Sequence, residues 1–348
     1  MGRLVRFSSP RKAEVVEVED RVPGPGDVLL ETAYSGISAG TELTAYRGSN
    51  PYLARTWDQD RRLFVPGGSS LSYPVDAWGY EEVGRVTDVG SADDADLVGR
   101  LVWGAWGHRS SVVRGSDYVR ARVLPDGSDL MPGIFAKIGA IALNAVLDAD
   151  IHVGETVVVF GAGVPGQIVA QLARLNGARV TVVDPVPARR ELARRLGATA
   201  TLDPGRDEVG EAVRAATGNR GADVVIEMSG SYDALHEAVR TAAYSSRVVA
   251  SGFFQGGGSA LQLGQEFHHN RIAIVGSQIY GVAPHLQHRW DEVRMSRTVL
   301  SLEQEGSLML RELVTHVVPA EEAPGAFEML DTAPQDALQV VLDYGVMP

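Results

Sequence analysis

The sequence contains no cysteine, and only two of its 348 residues, Lys12 and Lys137, are lysines. The lack of cysteine excludes disulfides, thiolate nucleophiles and every zinc or iron–sulfur site held by cysteine. All other basic residues are arginines, so a lysine in the interior of the chain stands out as a candidate functional residue.

Positive charge and long apolar runs are also scarce. The net charge of −12 predicts no nucleic-acid partner, because phosphate binding needs clustered positive charge. Apolar runs are interrupted before the roughly 18 residues that a membrane span requires, so no membrane partner is expected. The N-terminal residues, with a strand-like run at 4–7, lack the layout of a signal peptide, and we expect a cytoplasmic protein.

The length predicts two domains, because 348 residues exceed one ordinary core. From residue 156 onward, apolar strands alternate with amphipathic helices, which is typical of a parallel sheet covered on both faces. The six predicted strands span residues 156–160, 179–183, 200–202, 223–227, 247–251 and 272–276.

Residues 1–125 have a different pattern. Short alternating strands, such as 27–32 and 83–89, lie between Pro/Gly turns, which predicts an antiparallel, barrel-like β domain. Residues 49–75 show no clear period and predict a long surface loop. After the parallel sheet, a helix is predicted at 290–306, and two strands are predicted at 313–318 and 337–343.

The most specific motif is the run Gly161-Ala162-Gly163-Val164-Pro165-Gly166. It follows a buried strand and opens a helix, as in a dinucleotide-binding βαβ unit. Gly161 permits the tight turn, Gly163 lets the backbone approach a pyrophosphate, and Gly166 lets the helix pack on the strand. The helix N-terminus, with Val164 and Pro165, offers its partial positive charge to the phosphates.

Asp184 indicates which dinucleotide is bound. It ends the second strand, 18 residues after Gly166, where a carboxylate can accept hydrogen bonds from ribose hydroxyls. Because it would repel a 2′-phosphate, NAD is favoured over NADP as the cofactor. Arg189 and Arg190 follow closely and could partly offset that charge.

The order of a β domain, a nucleotide domain and a β return resembles the medium-chain dehydrogenase/reductase family over essentially the whole chain. Residues 35–43 are similar to the segment that carries the first zinc cysteine in zinc alcohol dehydrogenases, and residues 79–86 to their Gly-His-Glu segment. The resemblance implies an α/β protein with a Rossmann doubly wound parallel sheet plus a GroES-like antiparallel β-barrel domain. The implied boundaries are 1–132 for the GroES-like catalytic domain, 133–285 for the NAD-binding domain and 286–348 for the return to the catalytic domain.

The chain departs from this family at each zinc position. Ser38 replaces the cysteine, Tyr80 replaces the histidine, and Ala136 lies near the position of the third ligand. Catalytic zinc needs three protein ligands, which these residues do not supply, and the structural four-cysteine lobe is missing as well. We therefore expect neither a catalytic nor a structural zinc ion.

Within the family, the chain resembles the branch that includes bacteriochlorophyllide 2-hydroxyethyl dehydrogenase-like proteins. The matching segments include residues 40–48, 78–81 and 266–270. Members of that branch are often sugar or cyclitol dehydrogenases by inference.

Without zinc, protein side chains must take the hydroxyl proton of a substrate or stabilise its alkoxide. Lys137 is the first candidate, because it follows the lost third-ligand position on a helix expected to line the cleft; the alternative is a surface lysine. Tyr80 can donate a proton or simply fill the space of the metal. Ser38 supplies a hydroxyl at the cysteine position, and Glu81 is expected to support these groups.

Three further polar residues are weaker candidates. His269, or its neighbour His268, lies before the last sheet strand, where we expect the nicotinamide, and could act as a base near neutral pH. A loop histidine is, however, more often only hydrogen-bonded. Glu42 could bond substrate hydroxyls, although capping of the following helix by Thr41 and its neighbours is the simpler interpretation. His108 is expected to be structural.

Contacts to the nicotinamide are implied by the resemblance. Ser229, Gly252, Phe253 and Ser277 follow three strands at their carboxyl ends, where ligands bind in open α/β sheets. Their backbone groups would orient the carboxamide, and Phe253 would flank the ring. The resemblance also implies a homodimer, formed through the sheet edge at residues 272–281.

Together these expectations describe a zinc-independent, NAD-dependent dehydrogenase that oxidises a secondary alcohol of a polyol, sugar or cyclitol to a ketone. Two alternatives stay open. One is an NAD(P)H-dependent enoyl or quinone reductase, against which Asp184 counts. The other is a nucleotide-binding protein that has lost activity along with its metal.

Overall fold

The structure, a computed structural model, describes residues 1–346 and divides into two units. The β unit comprises residues 1–137 together with the described residues from 314 onward, and the α/β unit comprises residues 138–313. The domain boundaries expected from the sequence, at 132/133 and 285/286, stay predictions.

The elements follow one another in three blocks. The first block contains β1 (Gly2–Ser9), β2 (Lys12–Val18), β3 (Asp27–Ile37), α1 (Ala39–Arg47), β4 (Thr56–Asp58), β5 (Leu63–Val65), β6 (Val75–Asp76), β7 (Glu81–Val89), β8 (Leu101–Gly104), β9 (Ser111–Gly115) and α2 (Ser116–Arg120). The second contains α3 (Phe135–Ala149), β10 (Thr156–Phe160), α4 (Val164–Leu175), β11 (Arg179–Val183), α5 (Pro187–Arg195), β12 (Ala200–Leu202), α6 (Val209–Ala216), β13 (Ala222–Glu227), α7 (Tyr232–Thr241), β14 (Ala242–Ala250), β15 (Ala273–Gly276) and α8 (Glu292–Gln304). The third contains β16 (Val314–Pro319), α9 (Ala323–Thr332) and β17 (Gln339–Asp343).

The sheet of the α/β unit has the strand order β12-β11-β10-β13-β14-β15, and all its strand pairs are parallel. This is the doubly wound order, which reverses between β10 and β13. The central strands are rich in valine and almost completely buried, as expected of a parallel sheet that is covered on both faces. The predicted Rossmann-type sheet is confirmed.

The β unit contains a sheet with the order β16-β17-β3-β7-β8, in which β9 also pairs with β3, and a smaller sheet β2-β1-β6. Its pairs are antiparallel, as predicted, with the exception of β16 and β17, which are parallel. The exception has a physical cause, because α9 connects these two strands and a helical crossover returns the chain in the same direction.

Residues 49–75 are more ordered than the predicted surface loop. They contain the hairpin of β4 and β5, in which the rings of Trp57 and Phe64 lie 5.0 Å apart. Each strand has only three residues, too few for a visible alternation of apolar and polar side chains.

Helix α3 and the short turn before it form the one segment of residues 1–346 whose length and hydropathy suit a membrane span, at Met131–Ala149. Of this segment, 78% is buried inside the protein, which is typical of a core helix. Lys137 and Asp148 interrupt its apolar sequence.

Candidate functional site

The glycine turn between β10 and α4 leaves one of its three glycines open. A Cβ on Gly166 would clash with the carbonyl oxygen of Gly161, and one on Gly161 would lie 2.9 Å from the amide nitrogen of Ser229. Gly161 also has a φ of +89°, a conformation that favours glycine. A Cβ on Gly163, in contrast, would meet nothing closer than Pro165 at 4.0 Å. The backbone at Gly163 is therefore accessible to a ligand.

Helix α4 begins directly after this turn. The carbonyl oxygen of its cap residue, Gly163, accepts the first intrahelical hydrogen bond, from the Gln167 N–H at 2.9 Å. The amides of Val164 and Gly166 precede that bond, and Pro165 has no N–H. The N-terminus of this 12-residue helix therefore combines a partial positive charge with backbone donors, which suits a pyrophosphate.

Asp184 holds the glycine turn as well as ending β11. Its Oδ2 accepts a hydrogen bond from the Ala162 N–H at 2.7 Å, and its Oδ1 accepts one from the Val186 N–H at 2.8 Å. Each carboxylate oxygen keeps a further lone pair that a ribose hydroxyl could use. Arg190 donates to the carbonyl oxygen of Asp184 and to the Asp203 carboxylate, at 2.6 and 2.9 Å. This arginine is thus already engaged, whereas the half-buried Arg189 accepts a bond from Gln167 at its carbonyl oxygen.

Glu227, which the sequence analysis did not select, organises the carboxyl edge of the sheet. It ends β13, is fully buried, and accepts the N–H groups of Ser229 at 2.7 Å and Gly230 at 3.1 Å. Its carbonyl oxygen accepts those of Ser251 and Gly252. Burial raises the pKa of Glu227. The sequence signal that could have identified Glu227 is an acidic residue at the end of an apolar strand, the same signal that identified Asp184.

The remaining residues expected near the nicotinamide lie at this same edge. A Cβ on Gly252 would clash with the backbone of Gly230, so the two turns pack tightly. Phe253 is 42% exposed. Ser277, the first residue after β15, is half-buried, and its N–H bonds the carbonyl oxygen of Ala250 at 3.0 Å.

His268 and His269 do not lie at that edge, which corrects the expectation. They precede β15 and therefore lie at the amino end of a parallel strand whose carboxyl end leads to Ser277. A four-residue strand separates the two ends by on the order of 10 Å. His269 is exposed, and its Nδ1 lies 3.0 Å from the carbonyl oxygen of Gln265. His269 therefore lies away from the edge at which a catalytic base would act.

In the β unit, Ser38 and Tyr80 form a hydroxyl pair. The two oxygen atoms are hydrogen-bonded to each other, and Thr41 Oγ1 lies 3.4 Å from the Tyr80 hydroxyl. Ser38 is the cap residue of α1, and its N–H donates to Glu42 Oε1 at 2.9 Å, so Glu42 rather than Thr41 satisfies this helix end. Burial raises the pKa of Tyr80, and the nearby Glu81 acts in the same direction. The phenol therefore remains protonated at neutral pH.

A buried polar chain behind this pair was missed by the sequence analysis. Glu42 Oε2 lies 2.6 Å from His108 Nε2, and His108 Nδ1 lies 2.5 Å from Ser35 Oγ, which bonds Glu82 Oε1 at 3.4 Å. Burial disfavours the charged imidazole, but the charge of Glu42 and its hydrogen bond outweigh this effect, so the pKa of His108 is raised. No local sequence pattern predicts contacts between residues that are so far apart in the chain.

Glu81 is the neighbour of Tyr80 and is 1% exposed. Neither of its carboxyl oxygens has a hydrogen-bond partner among the described residues. Gln339 and Ser38 lie close enough to limit the rise in its pKa, but neither is aligned for a hydrogen bond. Burial, and then the charges of Glu42 and Glu82, raise the pKa of Glu81 well above its ordinary value. Its carboxyl group therefore keeps its proton to a higher pH than an ordinary glutamate does.

Lys137 lies in the first turn of α3 and is half-buried. Its neighbours Phe135, Ala136 and Ile138 are buried apolar residues. The aliphatic part of the Lys137 side chain therefore begins in hydrophobic surroundings. The first of the two segments of the β unit ends with this residue.

The residues at the expected zinc positions do not fit zinc. Ser38 and Tyr80 offer neutral hydroxyl oxygens that bond each other, and Ala136 has no donor. Zinc sites in proteins are built from thiolate, imidazole and carboxylate ligands. Among the described residues 1–346, no group of three or more His, Asp or Glu side chains could hold a metal ion.

Comparison with known proteins identifies related sequences and folds. Residues 165–297 match the family described as zinc-binding dehydrogenase. D-guloside 3-dehydrogenase of Escherichia coli K12 is 30% identical over 99% of this chain and 100% of its own length. L-galactonate-5-dehydrogenase of the same organism is 34% identical over 77% of this chain and 81% of its own. The crystal structure of 2R,3R-butanediol dehydrogenase from Bacillus subtilis has a similar fold, with a TM-score of 0.79, 21% identity and 99% coverage of both chains.

The buried acids predict that the β unit loses stability as the pH rises. Folding raises the pKa of Glu82 to about 7 and that of Glu81 in the same direction, in each case mainly through burial. Above about pH 4.3, where the unfolded carboxylates lose their protons, the folded state binds more protons than the unfolded state. This contribution to stability is complete below that pH and is lost as the pH rises through the folded pKa values, by at most about 1.4 kcal/mol per pH unit for each group.

Glu81→Gln stays neutral at every pH. In this variant the urea concentration at the unfolding midpoint should therefore fall less steeply between about pH 5 and 8 than it does in wild type. Tryptophan fluorescence reports mainly on the β unit, because Trp57, Trp78, Trp103 and Trp106 lie there. Glu17→Gln, at an exposed position of β2, is the matched control. The same slope in wild type and Glu81→Gln would contradict the assignment of a protonated Glu81.

Proposed function

The chain belongs to the zinc-binding dehydrogenases of the medium-chain dehydrogenase/reductase family and is an oxidoreductase that acts on CH–OH groups, and on this basis we propose its reaction. It is a zinc-independent, NAD-dependent dehydrogenase that oxidises a secondary alcohol of a sugar, cyclitol or related polyol to a ketone. The observation that carries the proposal is the Ser38–Tyr80 hydroxyl pair at the expected metal position. Relatives that cover most of the chain and are named for sugar derivatives support the substrate class.

The α/β unit would bind the coenzyme. Gly161, Gly163, Val164, Pro165 and Gly166 form the turn and helix end for the pyrophosphate. The remaining lone pairs of Asp184 suit the adenosine ribose, and Arg189 is assigned to the same part of the coenzyme. The residues for the nicotinamide are those at the carboxyl edge, namely Ser229, Gly252, Phe253 and Ser277. A nicotinamide held by these residues would supply the acceptor for the hydride of the carbinol carbon.

The β unit would handle the proton of the substrate hydroxyl. Because its pKa is raised, Tyr80 acts as a neutral hydrogen-bond donor rather than as the base, and Ser38 fixes its orientation. Glu81 stays protonated and thus adds no negative charge next to a developing alkoxide. We assign Lys137 to the substrate hydroxyl: as a neutral amine it would take the hydroxyl proton, and as an ammonium group it would stabilise the alkoxide. A polyhydroxylated substrate suits this set of polar groups.

Lys137→Ala is expected to lower kcat roughly 100-fold or more, the usual contribution of an acid–base group, and Tyr80→Phe to lower it by a smaller factor. The measurement is NAD reduction at alkaline pH with a panel of sugars, cyclitols and polyols. Lys12→Ala is the matched control, because Lys12 is exposed on β2 and is the other lysine of the chain. Unchanged rates in both Lys137→Ala and Tyr80→Phe would remove the catalytic proposal.

The same panel separates the alternatives. Turnover of enones or quinones with NADPH, without turnover of any alcohol, would favour the reductase. Coenzyme binding without any turnover would favour a protein that has lost its activity.

Coenzyme preference follows from Asp184. Its carboxylate would repel a 2′-phosphate, so NADH should bind at least about tenfold more tightly than NADPH, which corresponds to about 1.4 kcal/mol. Gly163→Ala should fold normally, because its Cβ meets no atom closer than 4.0 Å, yet should weaken NADH binding by crowding the pyrophosphate. Both effects are measured by fluorescence titration and thermal unfolding. Equal affinity for NADH and NADPH would contradict the assignment of NAD.

A homodimer formed through β15 remains part of the proposal. This strand is at the edge of its sheet, and its residues Ala273 and Gly276 are exposed. Such an edge can pair with a second copy, and light scattering that returns the mass of a single chain would exclude it. The cytoplasmic location and the absence of nucleic-acid and membrane partners stay predictions.

A further inference from the structure

The segment that follows β15 at the carboxyl edge has little support of its own. Residues 277–283 form neither helix nor strand. The segment is tied to the sheet by the bond from Ser277 N–H to Ala250, and it contains a turn in which the Gly281 N–H bonds the carbonyl oxygen of Gln278 at 2.9 Å. Tyr280 is 84% exposed.

Asn144 of α3 reaches this segment with its side-chain amide. The residue is completely buried. Its Nδ2 lies 3.1 Å from the carbonyl oxygen of Gly281, 3.3 Å from that of Gln278 and 3.3 Å from Ser277 Oγ. One side chain thus contacts both ends of the turn and the residue that leads into it.

The chemistry of this contact depends on an amide at position 144. Asn144 Nδ2 faces acceptors only, including Asp148 Oδ2 at 3.3 Å, whereas its Oδ1 is buried without a hydrogen-bond partner among the described residues. The reverse orientation of the amide would place its oxygen against other oxygens. An unpaired buried acceptor costs free energy, and the adjacent Leu143 and Ala145 show that apolar residues fit this helix. An apolar residue at position 144 could not donate the hydrogen bonds that Asn144 Nδ2 makes to this segment.

Asp148, one turn further along α3, contacts the same segment. Its carboxyl group lies near the Ser277 hydroxyl and the Ala283 N–H. Residues four apart lie on one face of a helix, so Asn144 and Asp148 face residues 277–283 from the same side of α3. Both side chains are buried, and the hydrogen bonds to the segment come from Asn144.

We propose that Asn144 is a positioning residue for the coenzyme, because it fixes the backbone of residues 277–281 against which the nicotinamide carboxamide binds. This inference rests on the proposed function. A carboxamide needs donors and acceptors held in one arrangement, and a segment that must first be ordered binds it more weakly. Asn144 would therefore affect the affinity for the coenzyme without contacting substrate.

The test compares Asn144→Ala and Asn144→Asp with wild type. Asn144→Asp keeps the shape of the side chain but replaces the donor by an acceptor, so it remains informative if the smaller residue impairs folding. Gln171→Ala is the matched control: it removes a buried amide of the same unit, which bonds the Met309 N–H at 2.8 Å and does not touch residues 277–283. The readouts are hydrogen exchange of a peptide covering 277–283 and fluorescence titration with NADH.

Both Asn144 variants are expected to exchange faster in residues 277–283 and to bind NADH about tenfold or more weakly, with the KM for NAD rising more than the KM for the alcohol. Gln171→Ala should lower the unfolding midpoint and leave both readouts unchanged. Exchange and NADH affinity equal to wild type in Asn144→Ala, or the same losses in Gln171→Ala, would overturn the inference alone. If wild type binds neither NADH nor NADPH, the proposed function fails and this role fails with it.

Discussion

The hydrogen bond between the hydroxyls of Ser38 and Tyr80 decides which chemistry is open to the β unit. The pair uses one O–H in its mutual hydrogen bond, so it keeps one neutral O–H donor for a substrate and offers no anionic ligand to a metal. Their geometry is supported from behind, because Glu42 accepts the Ser38 N–H with one oxygen and contacts His108 with the other. The position at which the family resemblance leads one to expect zinc is thus occupied by a hydrogen-bonded network of the protein itself.

The buried acids behind this pair fit an alkoxide-forming reaction only because their charge is limited. Glu42, Glu81 and Glu82 are at most 1% exposed, and three carboxylates at such close quarters would repel a developing negative charge. Burial raises the pKa of Glu81 and so favours its neutral form, and the negative charge of Glu42 is matched by the raised pKa of His108. The network therefore stabilises the hydroxyl pair without opposing the reaction that we assign to it.

The α/β unit and its glycine turn could be predicted from the sequence, because both depend on short-range patterns. The strand from Thr156 to Phe160 and the turn at Gly161 are contiguous, and the spacing to Asp184 follows from one strand-helix-strand unit. Ser38 and Tyr80 could be recognised as replacements of zinc ligands, because the family resemblance aligns them with the ligand positions.

The supporting contacts could not be predicted, because they join residues that are far apart in the chain. His108 lies 66 positions from Glu42, and Asn144 lies 133 positions from Ser277. Periodicity predicts which face of an element is buried, but not which side chain it meets. The placement of His269 near the nicotinamide was wrong for another reason: a residue before a parallel strand lies at its amino end, and ligands bind at the carboxyl end.

The central claim is that protein side chains, and not zinc, support the oxidation of the alcohol. The most direct measurement is the metal content of active enzyme, together with its activity before and after dialysis against a strong chelator. The account predicts zinc well below one ion per chain and an activity that the chelator leaves intact. Stoichiometric zinc, with activity lost on chelation and restored by zinc alone, would contradict it.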